Sequence, residues 1–213
     1  SSPSKHTITA NGGATHSNTQ SKFEGGSIYF DGGDSLQIAD SSDWNNGAND
    51  FTWDCWIYPT TMNTHGGIIH QGETSSNQEC NTLNTYADGT GNIRWLIRNA
   101  SGTLLDIKTA SSSVPPNQWY HVAAVRSGSY FTIYVDGVAM VTSSAITTTL
   151  DDLAWPLYLG SRHVDPSTNY DYYGYIDEAR ITKGTALWTA AFTPPTRRNL
   201  SAPVVDRVND NGL

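Results

Sequence analysis

Apolar and polar residues alternate along much of this chain with a period of two, the spacing that sends successive side chains to opposite faces of an extended strand. The clearest run is Phe51-Thr52-Trp53-Asp54-Cys55-Trp56-Ile57-Tyr58, closed by Pro59. Phe51, Trp53, Cys55 and Ile57 share one face; Thr52, Asp54, Trp56 and Tyr58 share the other. From Phe23 onward, strand-like segments recur at intervals of roughly ten residues, the rhythm of a sandwich. Ser27–Phe30 and Ser35–Ile38 flank the turn Asp31-Gly32-Gly33-Asp34. Gly67–Gln71 is a short strand, and Asn81–Tyr86, Asn92–Arg98 and Leu104–Lys108 form successive hairpins. Trp119–Arg126, Tyr130–Val135 and Val138–Thr142 follow, the last two joined by Asp136-Gly137, a strong turn dipeptide. Leu157–Gly160 and Gly174–Ile181 complete the set, and one short helical turn is expected near Thr185–Ala191. The pattern predicts an all-β sandwich, and no composition shift divides residues 23–195 into two domains. Residues 1–22 read as a polar segment in which His6–Thr9 can supply an edge strand, and 197–213 as a tail or linker.

Composition narrows the partners. The chain has 213 residues, enough to bury a sizeable core. Aromatic residues make up 11% and charged residues only 15%, which argues against disorder. The net charge of -8 argues against nucleic acid and anionic membrane surfaces, both of which ask for basic patches. No apolar run is long enough to span a bilayer. Of 20 acidic residues 16 are Asp, the acid that favours turns and loop calcium sites. The start at Ser1, with no Met and no signal peptide, reads as a piece of a longer protein or a mature form.

Several segments together match a known pattern. Trp119-Tyr120-His121-Val122-Ala123-Ala124-Val125-Arg126 followed by Tyr134-Val135-Asp136-Gly137 resembles the signature of laminin G-like, concanavalin A-like domains. Tyr29-Phe30-Asp31-Gly32, Asp50–Pro59, Leu157–Ser161 and Gly174–Ile181 fit the same pattern in order, over about residues 23–196. The endings Thr182-Lys183-Gly184 and Phe192-Thr193-Pro194-Pro195 are similar to versions in phage structural proteins and bacterial surface proteins. The resemblance implies a two-sheet antiparallel jelly-roll sandwich over residues 23–196 as a single domain and says less about the ligand, because this fold hosts lectins, adhesion modules and glycan hydrolases. Most of the motif is a folding signature: Gly137 serves a tight turn, and Trp119 and Val135 are core residues.

That frame limits the chemistry open to the chain. A glycosidase needs two carboxyl groups flanking one bond. The Glu-x-Asp-x-Glu arrangement of related hydrolases is absent, and adjacent Asp177 and Glu178 point to opposite faces of a strand. No Gly-x-Ser-x-Gly elbow is present. No catalytic residue is expected. Carbohydrate binding is the main expectation, with Trp56, His70, Asn84, Tyr86, Arg94 and Arg98 lining one concave sheet face and Tyr170 and Tyr172 (with Tyr173) on a loop beside it. The resemblance puts Asp177 near the first strands, so Asp31, Asp34 and Asp177 are expected to hold a structural Ca²⁺; Asp165 and Asp171 form a weaker second set. Cys55 and Cys80 allow one disulfide or two free thiols. The expected function is a non-catalytic carbohydrate-binding or adhesion module of a larger extracellular, cell-surface or virion protein, with a glycan or cell-surface polysaccharide as partner. The alternatives are a structural decoration domain of a phage or virus particle, or a module of a carbohydrate-active enzyme.

Overall fold

A computed structural model describes residues 5–62, 65–72, 80–86, 89–162 and 170–196. Fourteen strands are named among these residues. They are β1 (Ile8–Asn11), β2 (Thr15–Ser17), β3 (Ser27–Asp31), β4 (Ser35–Ile38), β5 (Phe51–Pro59), β6 (Gly67–Gly72) and β7 (Cys80–Thr85). Then come β8 (Ile93–Asn99), β9 (Gly102–Lys108), β10 (Tyr120–Ser127), β11 (Tyr130–Val135), β12 (Val138–Thr142), β13 (Leu157–Leu159) and β14 (Tyr173–Lys183). They form two antiparallel seven-stranded sheets. Sheet I has the order β1-β4-β13-β6-β7-β8-β9 and sheet II the order β12-β11-β10-β5-β14-β3-β2. This is the sandwich that the alternation predicts and the jelly roll that the resemblance implies.

The core lies between the sheets and is built by the predicted parity. Phe51, Trp53, Cys55 and Ile57 of β5 are fully buried, with Val122 and Ala124 of β10 beside them. Phe51 and Phe131 meet Trp95 of the facing sheet edge to face, at 5.8 and 5.2 Å between ring centroids for the two Trp95 pairs. Trp95 Nε1 donates to Asn81 Oδ1 at 2.8 Å, so the one polar atom of this buried indole is satisfied.

The structure places the N-terminal segment, the stretch after β14 and both cysteines. Residues 5–22 are integrated into the sandwich: β1 pairs with β4 at the edge of sheet I, and β2 with β3 at the edge of sheet II. Residues 185–191 form no helix; they run as an irregular strap across sheet II. Cys55 and Cys80 are free. Cys55 is in the core of sheet II, whereas Cys80 is in sheet I, opposite Arg98, so the thiols belong to different layers. The proposed tail 197–213 lies outside the described residues.

Candidate functional site

A sandwich offers an outer face on each sheet. On sheet II that face is closed by the chain itself. Thr52 Oγ1 accepts from Leu187 N at 3.0 Å and donates to Thr185 O at 3.1 Å, which ties the strap to β5. Trp188 and Phe192 then stack at 4.0 Å, edge-on to His121. Under them sits a buried charge cluster. Arg180 Nε and Nη2 each donate to Asp54 at 2.9 Å, and His121 Nε2 donates to Asp54 Oδ2 at 3.2 Å. The geometry depends on a bulge: Asp177 pairs with Trp56 and Arg180 with Asp54, three steps on β14 against two on β5. Glu178, at φ 50°, is in the extra turn of backbone.

This closure overturns part of the expected site. Trp56 is 6% exposed, with Lys22 Nζ 3.8 Å above its ring and Phe23 edge-on. It therefore offers no stacking surface. It also belongs to sheet II, whereas His70, Asn84, Arg94 and Arg98 belong to sheet I. Parity within a strand is readable from sequence; membership of a sheet is not. Tyr172 is 1% exposed in the core against Phe30, with its hydroxyl donating to Tyr175 O at 3.3 Å, so it is not a loop aromatic.

The expected calcium ligands do not meet. Asp34 is buried and accepts from the backbone N–H groups of Gly13 and Asp31, acting as a turn cap. Asp31 opposes Tyr173 on β14, and Asp177 is four residues further along that strand. That is roughly 13 Å at the strand rise. Asp177 accepts instead from Lys22 N at 3.2 Å, and burial, followed by neighbouring Glu178, pushes its carboxyl up. Among the described residues no three His, Cys, Asp or Glu side chains form a metal-holding group. Asp165 lies outside the described residues, and Asp171 accepts from Ser161 Oγ at 2.9 Å.

The outer face of sheet I gathers the remaining expected residues. Cys80, Thr82 and Asn84 of β7 oppose Arg98, Leu96 and Arg94 of β8, while Leu83 and Trp95 point to the core. His70 is on the same face opposite Thr82. His70 is fully buried: Nε2 donates to Gly72 O at 2.8 Å, which leaves Nδ1 to accept from Thr82 Oγ1 at 2.7 Å, with Tyr158 stacked beside the ring. Asn84 is also buried; its amide donates to Thr85 O, and among the described residues its Oδ1 has no hydrogen-bond partner. These two form the floor of the face.

Around them stands a series of rings and cations. Lys108 Nζ is 4.1 Å and the Arg94 guanidinium 5.5 Å from the centroid of half-buried Tyr86. His65 meets Tyr86 edge-on at 4.8 Å and stacks with Tyr170 at 6.4 Å. The Arg162 guanidinium is 4.8 Å from the centroid of Tyr170. Arg94 makes a two-pronged bond to Asp106, at 2.7 and 2.6 Å, which raises the arginine and lowers the carboxyl. Arg98 Nε donates to Thr103 Oγ1 at 3.2 Å.

Lys108, His65 and Arg162 were not singled out from sequence. Lys108 was legible, because it pairs with Arg94 across the β8–β9 hairpin. His65 and Arg162 lie in segments without alternation. Their placement rests on Gly66 and Gly67: an added Cβ would stand 2.6 Å from Asp171 O and from Ser161 C respectively. Glycine therefore lets the Ser161–Asp171 bridge pack flush against β6.

The profile of the concanavalin A-like lectin/glucanases superfamily matches residues 30–189. A search of curated proteins found no significant match. Among solved structures, domain 4 of AbnA, a GH43 extracellular arabinanase from Geobacillus stearothermophilus in complex with arabinotriose, is similar at TM-score 0.61 and 19% identity. That likeness covers 85% of this chain and 83% of that one. The Ruminococcus gnavus IT-sialidase CBM40 bound to α2,3 sialyllactose is similar at 0.55 and 15%, over 66% and 79% of the two chains. The botulinum neurotoxin serotype D ligand binding domain in complex with N-acetylneuraminic acid is similar at 0.58 and 14%. This chain aligns over 86% of its own length but spans only 43% of the toxin domain. At these identities the likeness is one of fold.

Proposed function

The chain belongs to the concanavalin A-like lectin/glucanases superfamily, and from that premise we infer that it is a non-catalytic carbohydrate-binding module that binds glycan on the outer face of sheet I. One observation carries this reading: half-buried Tyr86 and Tyr170, with His65, stand among Arg94, Lys108 and Arg162 on the face that the strap leaves uncovered. Aromatic rings present flat apolar surfaces to sugar C–H groups, and the cations beside them donate hydrogen bonds to hydroxyls. The structural relatives named above bind arabinotriose, sialyllactose and N-acetylneuraminic acid, which supports a glycan as the ligand class. They include an extracellular enzyme's domain and a toxin's, which supports a place outside the cell as part of a larger protein.

The absence of catalysis is part of the proposal. Hydrolysis asks for two carboxyl groups about 5–9.5 Å apart. On this face Asp106 is engaged by Arg94 in a two-pronged bond.

A glycan array, run with and without EDTA, tests the reading. Tyr86→Ala and Arg94→Ala are expected to weaken binding at least about tenfold, whereas Trp56→Ala, on the closed sheet, is expected to change stability and leave affinity alone. Binding that drops with EDTA would bring calcium at the Asp31–Asp34 turn into the proposal. Binding lost in the Trp56 variant and kept in the Tyr86 variant would move the site to sheet II. No binding to any glycan would replace this reading with a structural decoration domain.

A further inference from the structure

Among the described residues, Arg162 is a buried cation with no counter-ion. Its residue is 8% exposed, and among the described residues its Nε has no hydrogen-bond partner and the side chain makes no ion pair. Asp106, the carboxylate on this face, pairs with Arg94 in a two-pronged bond. Asp171 Oδ1 takes its bond from Ser161. Other positive charges lie within electrostatic reach: Arg94 and Arg98 each bear on Arg162, together with the Cys80 thiol and the Tyr170 hydroxyl.

An unmatched guanidinium in a desolvated position is costly. In a chain of net charge -8 the acids to relieve it are plentiful, yet none is placed there among the described residues. Meanwhile the side chain is held in place. Arg162 N donates to Tyr170 O at 3.2 Å, the Tyr170 ring lies against the guanidinium, and Gly67 seats the Ser161–Arg162 backbone against β6. A planar fork fixed in this way matches the geometry of a carboxylate or sulfate.

Resting on the carbohydrate reading, we propose that Arg162 anchors an oxyanion of the bound sugar, so that the module selects acidic glycans over neutral ones of the same skeleton. Tyr86, Tyr170 and His65 supply the stacking surface, and Arg162 supplies the charge-assisted bonds that a neutral sugar cannot use. The ligand class is an oligosaccharide bearing a carboxylate (a uronic or nonulosonic acid) or a sulfate ester.

The test uses matched pairs and the unaltered protein first. Calorimetry compares a carboxylated oligosaccharide with its carboxyl-reduced form, and a sulfated one with its desulfated form. The acidic member is expected to bind at least about tenfold more tightly in one pair; the pair that shows the difference identifies the group. Arg162→Gln is then expected to bring the two members to equal affinity without abolishing the weaker binding. Arg162→Lys, which keeps the charge and loses the fork, covers the case in which the Gln variant does not fold, and is expected to retain only part of the preference. Equal affinity for acidic and neutral members in the unaltered protein overturns this inference and leaves the carbohydrate reading standing. An acidic preference that survives both substitutions in folded protein also overturns it. No binding to either member of any pair overturns the carbohydrate reading itself.

Discussion

Asp54 shows why the recurring residues of this chain are best read as architecture. Its side chain is 4% exposed, and it holds a two-pronged Arg180 and the Nε2–H of His121. Removing one partner of a buried pair costs far more than the pair contributes, because the other charge is left without a partner. Asp54→Ala is therefore expected to destabilise the protein by about 3–5 kcal/mol, read by urea denaturation; a loss under about 1 kcal/mol would show that water reaches Arg180. His121 is buried against Asp54 and is part of this architecture. Gly137 supports the same view of the signature. It has φ 79°, and an added Cβ would stand 1.8 Å from Phe192 O, so glycine serves both the turn and the approach of the strap. Asp136, one residue earlier, accepts from His121 N at 2.9 Å and joins the turn to β10. Arg126, the last residue of the motif, donates to the carbonyls of Gly128, Gly47 and Thr148 and so fastens three loops.

At the scale of elements, β5 shows what alternation conveys and what it omits. The core face Phe51, Trp53, Cys55 and Ile57 was legible, because burial on one side of a sheet leaves a period-two trace. The opposite face looked open, yet Thr52, Asp54 and Trp56 are all buried. A covering segment imposes no period on what it covers, and residues 185–192 carry no strand pattern of their own. The bulge in β14 was hidden for a related reason: one extra residue at Asp177–Arg180 changes which side chains face Asp54 and leaves composition unchanged. Asp177, at the edge of that bulge, has a measurable consequence of its own. Burial raises the Asp177 pKa in the folded chain above its unfolded value near 4. The native state holds that proton more tightly, so the stabilisation is full below about pH 4 and is lost as pH rises through the folded value. Asp177→Asn removes the titration. The stability of the unaltered protein relative to D177N is expected to rise as pH is lowered from 7 towards about 4, followed by thermal melts at matched ionic strength. A difference that stays flat, or grows with pH, would mean that the hydrogen bond from Lys22 N outweighs burial.

For the whole molecule, the proposed binding places work on one outer face and stability on the other. Sheet II turns its outer face inward: Ala123, Val125 and Tyr134 pack against Ala186, Trp188 and Phe192, so the strap acts as a second small core. Sheet I keeps cations and rings on its outer face, with a buried polar floor of His70, Thr82 and Asn84 beneath. The sequence made much of that second face legible, since His70, Asn84, Arg94 and Arg98 follow from strand parity alone. It could not exclude Trp56, because β5 pairs with β10 and β14, strands distant in sequence. It could not include Arg162 or His65, which reach the face from segments shaped by glycine packing instead of by pattern. If binding and stability reside on separate faces, they separate under mutation. Trp188→Ala strips an aromatic ring from the strap and is expected to lower stability by about 1–3 kcal/mol. The protein that remains folded is expected to bind glycan with unchanged affinity, since substitutions without shared partners act independently. Tyr86→Ala is expected to do the reverse, with a weakened complex and a nearly unmoved melting temperature. Denaturation and calorimetry on the two single variants and the double variant check this. Additive effects on each quantity support two independent faces, whereas a Trp188→Ala protein that folds but loses affinity would show that the strap sets the curvature of the sandwich and, through it, the spacing of the rings on sheet I.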